Sequence, residues 1–346
     1  MKKIVSTLLI LAVTLGLSAC NFRKRPRSEI LRGYFDTAIT VQDYAGLRMR
    51  DFADLAEDVR EELAYYDKLL DSGKEYEDFV NIATLNAGAG KGAVKVDGEM
   101  IDFLGFAKEM YYLTEGRVNI AAGSVLSVWN KYREEAGKTS ATDDNRTPDM
   151  SELEEARAHT DIEGLIIDEV NMTVELLDEQ MSLDVSMLAK GYALQQVVDE
   201  LREEGYDRVV LDAGINLNVI GEQEDGGAFR VGIRNPDTKS DETYLHYLDI
   251  KNTSCAMASA LEKYYEVDGK KYHHLIDMES LAPAENFASV TVVVDDSGLA
   301  SALSVAFFIM DFEEGRALLE TLDGVRVVWV YPDGKVVDSA DFDNQT

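Results

Sequence analysis

The sequence predicts an α+β fold, in which strands and helices fall into groups along the chain. Short apolar segments typical of strands occur at 34–41, 94–96, 165–167, 173–176, 209–211, 229–233, 289–294 and 325–331. Segments with helical periodicity cover 44–71, 100–114 and 297–310. This grouping favours an α+β architecture over a doubly wound sheet, which would alternate strands and helices strictly.

The N-terminal segment has the pattern of a bacterial lipoprotein signal. A basic start and an apolar run from Ile4 to Leu17 precede Leu17-Ser18-Ala19-Cys20, so residues 1–19 are predicted to be a cleaved signal peptide. The run is too short for a membrane-spanning helix. We expect acylation of Cys20 and a lipid anchor at the extracytoplasmic face of a bacterial membrane. In the lipid-anchored protein, residues 20–30 would form a basic tether close to anionic headgroups. The alternative is that Cys20 stays unmodified.

Charge and cysteine content restrict the function. The net charge of −31 becomes −33 without residues 1–19, which carry two lysines and no acids. Such an acidic chain is not expected to bind nucleic acid, whose phosphates would repel it. Cys255 is the one cysteine besides Cys20, so no intramolecular disulfide is expected, and we interpret it as a small buried apolar residue.

The rest of the chain, 31–346, is interpreted as one domain of two merged lobes. A polar, acidic stretch near 140–164 divides the lobes, and residues 149–159 within it are predicted to form a solvated helix.

The segment from Asp184 to Ala193 predicts an anion-binding junction. A strand from Met181 to Val185 leads into a helix that ends near Gly205, with Ser186 as its predicted N-cap. The buried stripe of this helix is formed by Ala189, Ala193, Val197 and Leu201. Free N–H groups at a helix start suit a phosphate, and Lys190 and Asp184 lie at that start. An ordinary capped helix with a solvated lysine is the alternative.

Two further blocks follow the junction. Residues 208–221 read as a strand, a glycine turn and a second strand. Residues 264–277 read as a hairpin turned at Asp268-Gly269, followed by His273 and His274. Adjacent residues of a strand face opposite sides, so one histidine at most can reach a cleft. The alternative is a hairpin exit with one histidine buried and hydrogen-bonded.

The order of these blocks resembles the ApbE family of FAD:protein FMN transferases over roughly residues 30–335. The resemblance is carried by Asp184–Ala193, Asp212–Asn216, His273–Asp277, Ala300–Val305, Phe35-Asp36-Thr37, Tyr76 with Asn86, and Thr114–Gly116 with Trp129. It implies an ApbE-like, T-fold-like arrangement of mixed and antiparallel sheets with flanking helices. It also implies a reaction that moves FMN from FAD to a Thr or Ser hydroxyl of a partner redox protein and releases AMP.

The resemblance also implies which residues bind and react. FAD would contact Phe35, Tyr76, Asn119, Ile120, Ala121, Asp184, Lys190 and Ile276. His274 and Asp277 would flank the reacting phosphate, with the imidazole as a base near neutral pH.

The implied metal site departs from the family pattern. In the family Mg²⁺ is held by positions that correspond here to Ser301, Val305 and the backbone carbonyl of Met187. Serine is a weak neutral ligand, valine is no ligand, and Mg²⁺ normally requires one or two carboxylates. We therefore expect weakened Mg²⁺ binding. The alternative function is a degenerate FAD-binding lipoprotein without transferase activity; a third is a lipoprotein that serves protein contacts alone.

Overall fold

A computed structural model describes residues 26–138 and 145–345. The helices are α1 (Met49–Leu69), α2 (Ile82–Ala87), α3 (Gly98–Leu113), α4 (Gly123–Lys138), α5 (Met150–Arg157), α6 (Ala189–Glu203), α7 (Ser297–Ile309) and α8 (Phe312–Leu319). The strands are β1 (Arg27–Tyr34), β2 (Thr37–Asp43), β3 (Val94–Lys95), β4 (Leu165–Asp168), β5 (Thr173–Leu176), β6 (Val209–Asp212), β7 (Asn216–Ile220), β8 (Phe229–Arg234), β9 (Tyr244–Ile250), β10 (Ser254–Ser259), β11 (Tyr265–Val267), β12 (Lys270–Tyr272), β13 (Ile276–Asp277), β14 (Ala282–Pro283), β15 (Ser289–Val294), β16 (Arg326–Val330) and β17 (Val336–Asp338).

An eight-stranded antiparallel sheet is the centre of the fold. Its order is β1-β2-β6-β7-β10-β15-β16-β17, and smaller sheets are formed by β3-β5-β4, β8-β9, β11-β12 and β13-β14. With helices packed on this sheet, the predicted α+β class is confirmed.

Alternation along the strands sorts the core onto two faces of the sheet. In β10, Ala256 and Ala258 face the helices, whereas Cys255 and Met257 face the β8–β9 hairpin. Because successive side chains of a strand point to opposite faces, one short apolar strand contributes to both cores. Cys255 is almost fully buried, as predicted.

Three helices form the layer that positions the site. The α7 helix packs on β10 and β15, α6 packs on α7, and α1 packs on α6 and β1. All of α7 except the half-buried Leu299 is buried, as expected for a helix that is apolar or small on every side. The predicted stripe of α6 is confirmed, since its four members are all buried.

Three local predictions were wrong. The predicted strand at 34–41 begins only at Thr37, because Phe35 (φ 47°) and Asp36 (φ 53°) form a two-residue turn between β1 and β2. The helix α6 starts at Ala189, so Ser186 is not its N-cap, and Leu188 occupies the cap position without a side-chain hydrogen bond. The predicted strand from Met181 to Val185 is an extended segment with one isolated bridge, at Ser182.

The structure describes only part of the N-terminal region for which a signal peptide and a tether were predicted. Strand β1 begins at Arg27, so residues 27–30 belong to the sheet and the predicted tether ends earlier than residue 30. The signal peptide and Cys20 lie outside the described residues. No helix within residues 26–138 and 145–345 is long and apolar enough to cross a membrane.

The segment near 140–164, which was predicted to divide the lobes, contributes α5 to an apolar cluster separate from those on the central sheet. Residues 139–144 lie outside the described part of the chain, and α5 confirms the predicted helix. The α4 and α5 helices share an apolar cluster with residues of the β11–β12 and β13–β14 hairpins. This cluster and the helix layer meet at the residues predicted to form the site.

Candidate functional site

The segment that carries Asp184 is fixed by main-chain hydrogen bonds to the predicted pocket segment 119–121. The Asp184 N–H donates to the carbonyl of Ile120 over 2.8 Å, and the Gly123 N–H donates to the carbonyl of Ser182 over 3.0 Å. The carboxylate of Asp184 accepts from the Ser186 N–H over 3.0 Å, which shapes the turn before α6. The structure thus brings Asn119, Ile120, Ala121 and Asp184 together.

The side chains of the 119–121 segment serve the scaffold. Asn119 donates to the carbonyl of Thr160 (2.9 Å) and accepts from the Ala121 N–H (2.9 Å). Ile120 and Ala121 are buried in the core. The side chains of this segment are therefore committed to the scaffold and are not available to a ligand.

Lys190 lies deep at the start of α6, beside the β6–β7 hairpin. Its Nζ donates to the carbonyl of Ala213 over 3.3 Å. Burial lowers the pKa of Lys190 to about 8, although the carboxylates of Glu262 and Asp212 act in the opposite direction. Burial also raises the pKa of Asp212 to about 6, against the hydrogen bond from the Gly214 N–H. A buried ammonium without a full ion pair is a favourable place for an anionic ligand.

The two histidines have different partners, but they lie in the connection between β12 and β13 and not in a strand, where the sequence predicted them. His273 is buried: its Nε2–H donates to the carbonyl of Ala284 over 2.7 Å, and its Nδ1 accepts from the Leu275 N–H over 3.2 Å. Both ring nitrogens of His273 are therefore committed to the β13–β14 hairpin. Burial lowers its pKa, so it is neutral at pH 7.

His274 retains a free ring nitrogen. Its Nδ1 is buried and has no hydrogen-bond partner among the described residues. Burial, followed by the cations Lys263 and Arg133 and by His273, lowers the pKa of His274 to about 3. A neutral imidazole with an unused lone pair next to cations is suited to accept a proton once an anion binds beside it.

Sequence reasoning missed three charged residues of this cluster. Arg133 interacts with the charge of Asp184 and with that of His274, which links the two halves of the site. Glu262 and Lys263 lie on the loop before β11 and interact with the charge of Lys190. Arg133 follows the motif residue Trp129 by one helical turn. This spacing, which puts both residues on one face of the helix, could have identified Arg133 from the sequence.

Tyr76 and Phe35 form a separate part of the site at the end of α1. Tyr76 donates to Asp71 over 2.9 Å, and the ammonium groups of Lys68 and Lys74 lie 5.2 and 4.5 Å from the centre of its ring. The Phe35 N–H donates to Asp67 over 2.6 Å.

The short helix α2 connects this part to the Asp184 segment. Its residue Asn86 exchanges two hydrogen bonds with Leu183, of 3.0 and 2.7 Å. The six residues of α2 rise about 9 Å along the helix axis.

The contacts of Asp277 and Ile276 are made within the protein scaffold. Asp277 accepts from the N–H groups of Glu279 (3.1 Å) and Ser280 (3.2 Å) and lies 3.4 Å from Arg117. No hydrogen bond joins Asp277 to His274 in the described part of the chain. Ile276 is buried between the hairpin and α4. Asp277 thus stabilises the β13–β14 hairpin, which follows His274 in the chain.

The residues at the implied metal positions do not fit Mg²⁺. The buried Oγ of Ser301 accepts from Asn216 over 2.7 Å, Val305 is a buried apolar residue, and Met187 is packed between two apolar clusters. The nearby Asp296 caps α7 through the Leu299 N–H at 2.7 Å. No cluster of three or more His, Cys, Asp or Glu residues that could hold a metal occurs in residues 26–138 and 145–345.

Known sequences resemble this chain along most of its length. The model of the ApbE family matches residues 35–329. An FAD:protein FMN transferase of Treponema pallidum is 27% identical over 350 residues, covering 96% of this chain and 92% of the relative. One of Klebsiella pneumoniae is 25% identical over 275 residues, covering 77% of this chain and 82% of the relative.

Solved structures share the fold. The ApbE protein from Thermotoga maritima superimposes with a TM-score of 0.76 at 24% identity, covering 92% of this chain and 99% of that protein. The flavin transferase ApbE from Vibrio cholerae gives a TM-score of 0.75 at 21% identity, with the same two coverages. The predicted ApbE-like fold is confirmed.

The close approach of α6 to α7 at Gly191 is testable by substitution. A Cβ at this position would lie 2.0 Å from the Oγ of Ser301 and 2.7 Å from the carbonyl of Ser297. We expect Gly191→Ala to lower the free energy of unfolding by at least about 2 kcal/mol, because such overpacking forces the two helices apart. Denaturant unfolding measures the effect.

Gly105→Ala is the matched control, because a Cβ there meets no atom within 4 Å on the exposed side of α3. This change should stabilise the protein by up to about 1 kcal/mol through helix propensity. Ser301→Ala in the Gly191→Ala background should restore stability only in part, since the contact with the Ser297 carbonyl remains. Equal stability of Gly191→Ala and Gly105→Ala would contradict the packing described here.

Proposed function

This chain belongs to the ApbE family, and we propose on that basis that it is an FAD:protein FMN transferase. The observation that carries the proposal is a half-buried lysine, Lys190, whose ammonium is bonded only to the Ala213 carbonyl within the described residues. Its charge interacts with the loop of Glu262 and Lys263, and that loop in turn interacts with His274, whose Nδ1 has no hydrogen-bond partner in the same part of the chain. A cation for a pyrophosphate and a free imidazole for a hydroxyl proton are the two elements that such a transfer requires.

The proposed reaction transfers a phosphoryl group between oxygens. A Thr or Ser hydroxyl oxygen of the acceptor protein forms a bond to the FMN-side phosphorus of FAD. The bond from that phosphorus to the bridging oxygen breaks, and this oxygen leaves as part of AMP. The hydroxyl proton passes to a base. Catalysis of this kind rests on positioning and on positive charge at the phosphate oxygens.

Lys190 is proposed to bind the pyrophosphate. An ammonium already removed from water interacts strongly with an anion, because solvent screening is small at a buried site. FAD would extend from this point along α2 toward Tyr76 and Phe35. The rings of these two residues would pack against an aromatic part of the ligand. Asp184 and the main chain of residues 119–121 would line the middle of the cleft.

His274 is proposed to be the base that takes the proton. In the free protein its pKa of about 3 keeps the imidazole neutral but weakly basic. A bound pyrophosphate would oppose the charges of Lys263 and Arg133 and so raise the pKa of His274. The base would then become effective only when FAD is bound. Asp277 is proposed to hold in place, through Arg117, the β13–β14 hairpin that follows His274.

Magnesium is expected from the family, but the side chains at the implied positions offer it no anionic donor. We therefore assign no step of the reaction to a metal, and we propose that dependence on Mg²⁺ is shallow. The absence of anionic donors at the implied metal positions also favours the second candidate function, a protein that binds FAD without releasing AMP. Measurement of AMP release distinguishes a transferase from such a binding protein.

Attachment to a membrane is proposed from residues 1–30 alone. Acylation of the Cys20 thiol and cleavage before this residue would place the site at the extracytoplasmic face, where a secreted or membrane-bound redox protein would be the acceptor. We expect the protein to partition into detergent, and Cys20→Ala to be released or to remain unprocessed. Membrane fractionation tests this, and a membrane-bound Cys20→Ala protein of wild-type size would contradict it.

Transfer should be detectable directly in residues 20–346. With FAD, MgCl₂ and membrane proteins as acceptors, we expect AMP release together with a covalently flavinylated acceptor that fluoresces on a denaturing gel. His274→Ala should slow AMP release by about 10²–10⁴-fold, as for the loss of a general base. Its affinity for FAD should stay within about threefold of the wild type, because the imidazole acts on the hydroxyl.

His246→Gln is the control, because His246 binds Asp338 at the edge of the central sheet and should leave the rate unchanged. If the wild type binds FAD and releases no AMP at any Mg²⁺ concentration, the binding-protein alternative is correct. If His274→Ala loses rate and affinity equally, the residue shapes the pocket instead of accepting the proton.

The lowered pKa of Lys190 predicts that FAD binding depends on pH. The ammonium is charged below about pH 8 and neutral above it, so the affinity for FAD should fall between pH 7 and 9.5. Lys190→Arg should remove this decline, since arginine stays charged. Lys190→Met should bind about tenfold more weakly at pH 7, a loss of about 1.4 kcal/mol, and show no decline. Flavin fluorescence titration measures this, and an identical pH slope in wild type and Lys190→Met would refute the assignment.

A further inference from the structure

We propose that Arg133, on α4, is a phosphate-binding residue of this site, which donates to the phosphate of the FMN half of FAD. The proposal rests on the transferase function above and assigns it a residue that the family resemblance did not indicate. It also identifies a source of the positive charge that the substituted metal positions do not supply.

The packing of α4 places the face that carries Arg133 against the two hairpins on either side of His274, β11–β12 and β13–β14. The indole N–H of Trp129 donates to the carbonyl of Leu281 over 3.0 Å, and its ring stacks on Tyr272 with a centroid distance of 6.0 Å. Arg133 follows Trp129 by four residues and so shares its face of the helix. Tyr272 precedes His274 by two residues.

The same helix is held on the side of Asp184. The start of α4 is bonded to Ser182 through the Gly123 N–H, and a Cβ on Gly123 would lie 2.2 Å from the Ser182 carbonyl oxygen. Met187, in the turn before α6, packs in one cluster with Trp129 and other side chains of α4. Arg133 is thereby placed between the two predicted halves of the site, and its charge interacts with both Asp184 and His274.

Arg133 lacks the ion pair that its surroundings lead one to expect. The chain has 65 acidic and 34 basic residues, and other partly buried arginines are paired: Arg117 with three carboxylates and Arg326 with Asp338. Half-buried Arg133 donates to the neutral amide of Asn130, and no carboxylate oxygen within residues 26–138 and 145–345 lies within 4.0 Å of it. An incompletely neutralised guanidinium that interacts with His274, whose buried Nδ1 has no hydrogen-bond partner among the described residues, is suited to bind an anion.

The chemistry of guanidinium selects a phosphate. Its planar array of N–H groups matches two oxygens of a phosphate at once, which an ammonium cannot do. Lys190 and Lys263 add two cations, and Lys263 has a left-handed backbone (φ 43°) at the rim of the site. Charge of this kind, fixed before the reaction, stabilises the charge that develops on the phosphate oxygens.

Comparison of FMN with riboflavin tests the proposal without reference to catalysis, because the two ligands differ by the phosphate alone. The wild type should bind FMN more tightly than riboflavin. Arg133→Met should lose about tenfold or more of its FMN affinity while its riboflavin affinity is unchanged. Arg133→Lys should recover part of the difference. Lys131→Met, the same charge change on an exposed residue of α4, should behave as the wild type.

Arg133→Gln provides a second variant if Arg133→Met does not fold, and thermal unfolding monitors both. Unchanged discrimination between FMN and riboflavin in a folded Arg133 variant overturns the proposal, even if the wild type releases AMP from FAD. Lost discrimination in the variant, with no AMP release by the wild type, upholds the phosphate contact and refutes the transferase function.

Discussion

The position of the Lys190 ammonium at the start of α6 is the constraint on which the site depends. Gly191 lets α7 approach α6 closely, and Ser301 of α7 accepts a hydrogen bond from Asn216 of β7. The ammonium of the half-buried Lys190 lies beside the β6–β7 hairpin, where it reaches the carbonyl of Ala213 and interacts with the charge of Asp212. Packing of small residues between α6 and α7 thus holds the helix that presents this lysine.

Positive charge is concentrated at one place in an acidic protein. Arg133, Lys190 and Lys263 come from α4, α6 and the loop before β11, and their charges meet around His274 and Glu262. The fold holds these groups in place before any ligand binds, so little reorganisation is required of them. In a chain that offers no carboxylate at the implied metal positions, these cations are the available counter-charge for a pyrophosphate.

Sequence patterns predicted what depends on periodicity and motif order: the α+β class, the buried stripe of α6 and the hairpin at Asp268-Gly269. They failed where contacts between distant segments determine the local backbone. The Phe35 N–H binds Asp67 in α1, which holds a hairpin turn where a strand was predicted. Residues 186–188 form a turn in which the Ser186 N–H binds Asp184, so α6 begins after Ser186. Arg133 belongs to no motif, and only the contacts of Trp129 bring it to His274.

The most direct test of this account is a crystal structure of the protein with FAD, grown without divalent cations. The account predicts that pyrophosphate oxygens lie about 3 Å from Lys190 Nζ and from the Arg133 guanidinium, with His274 Nδ1 facing the FMN-side phosphate. A pyrophosphate bound elsewhere, with Lys190 still bonded only to the Ala213 carbonyl, would contradict it.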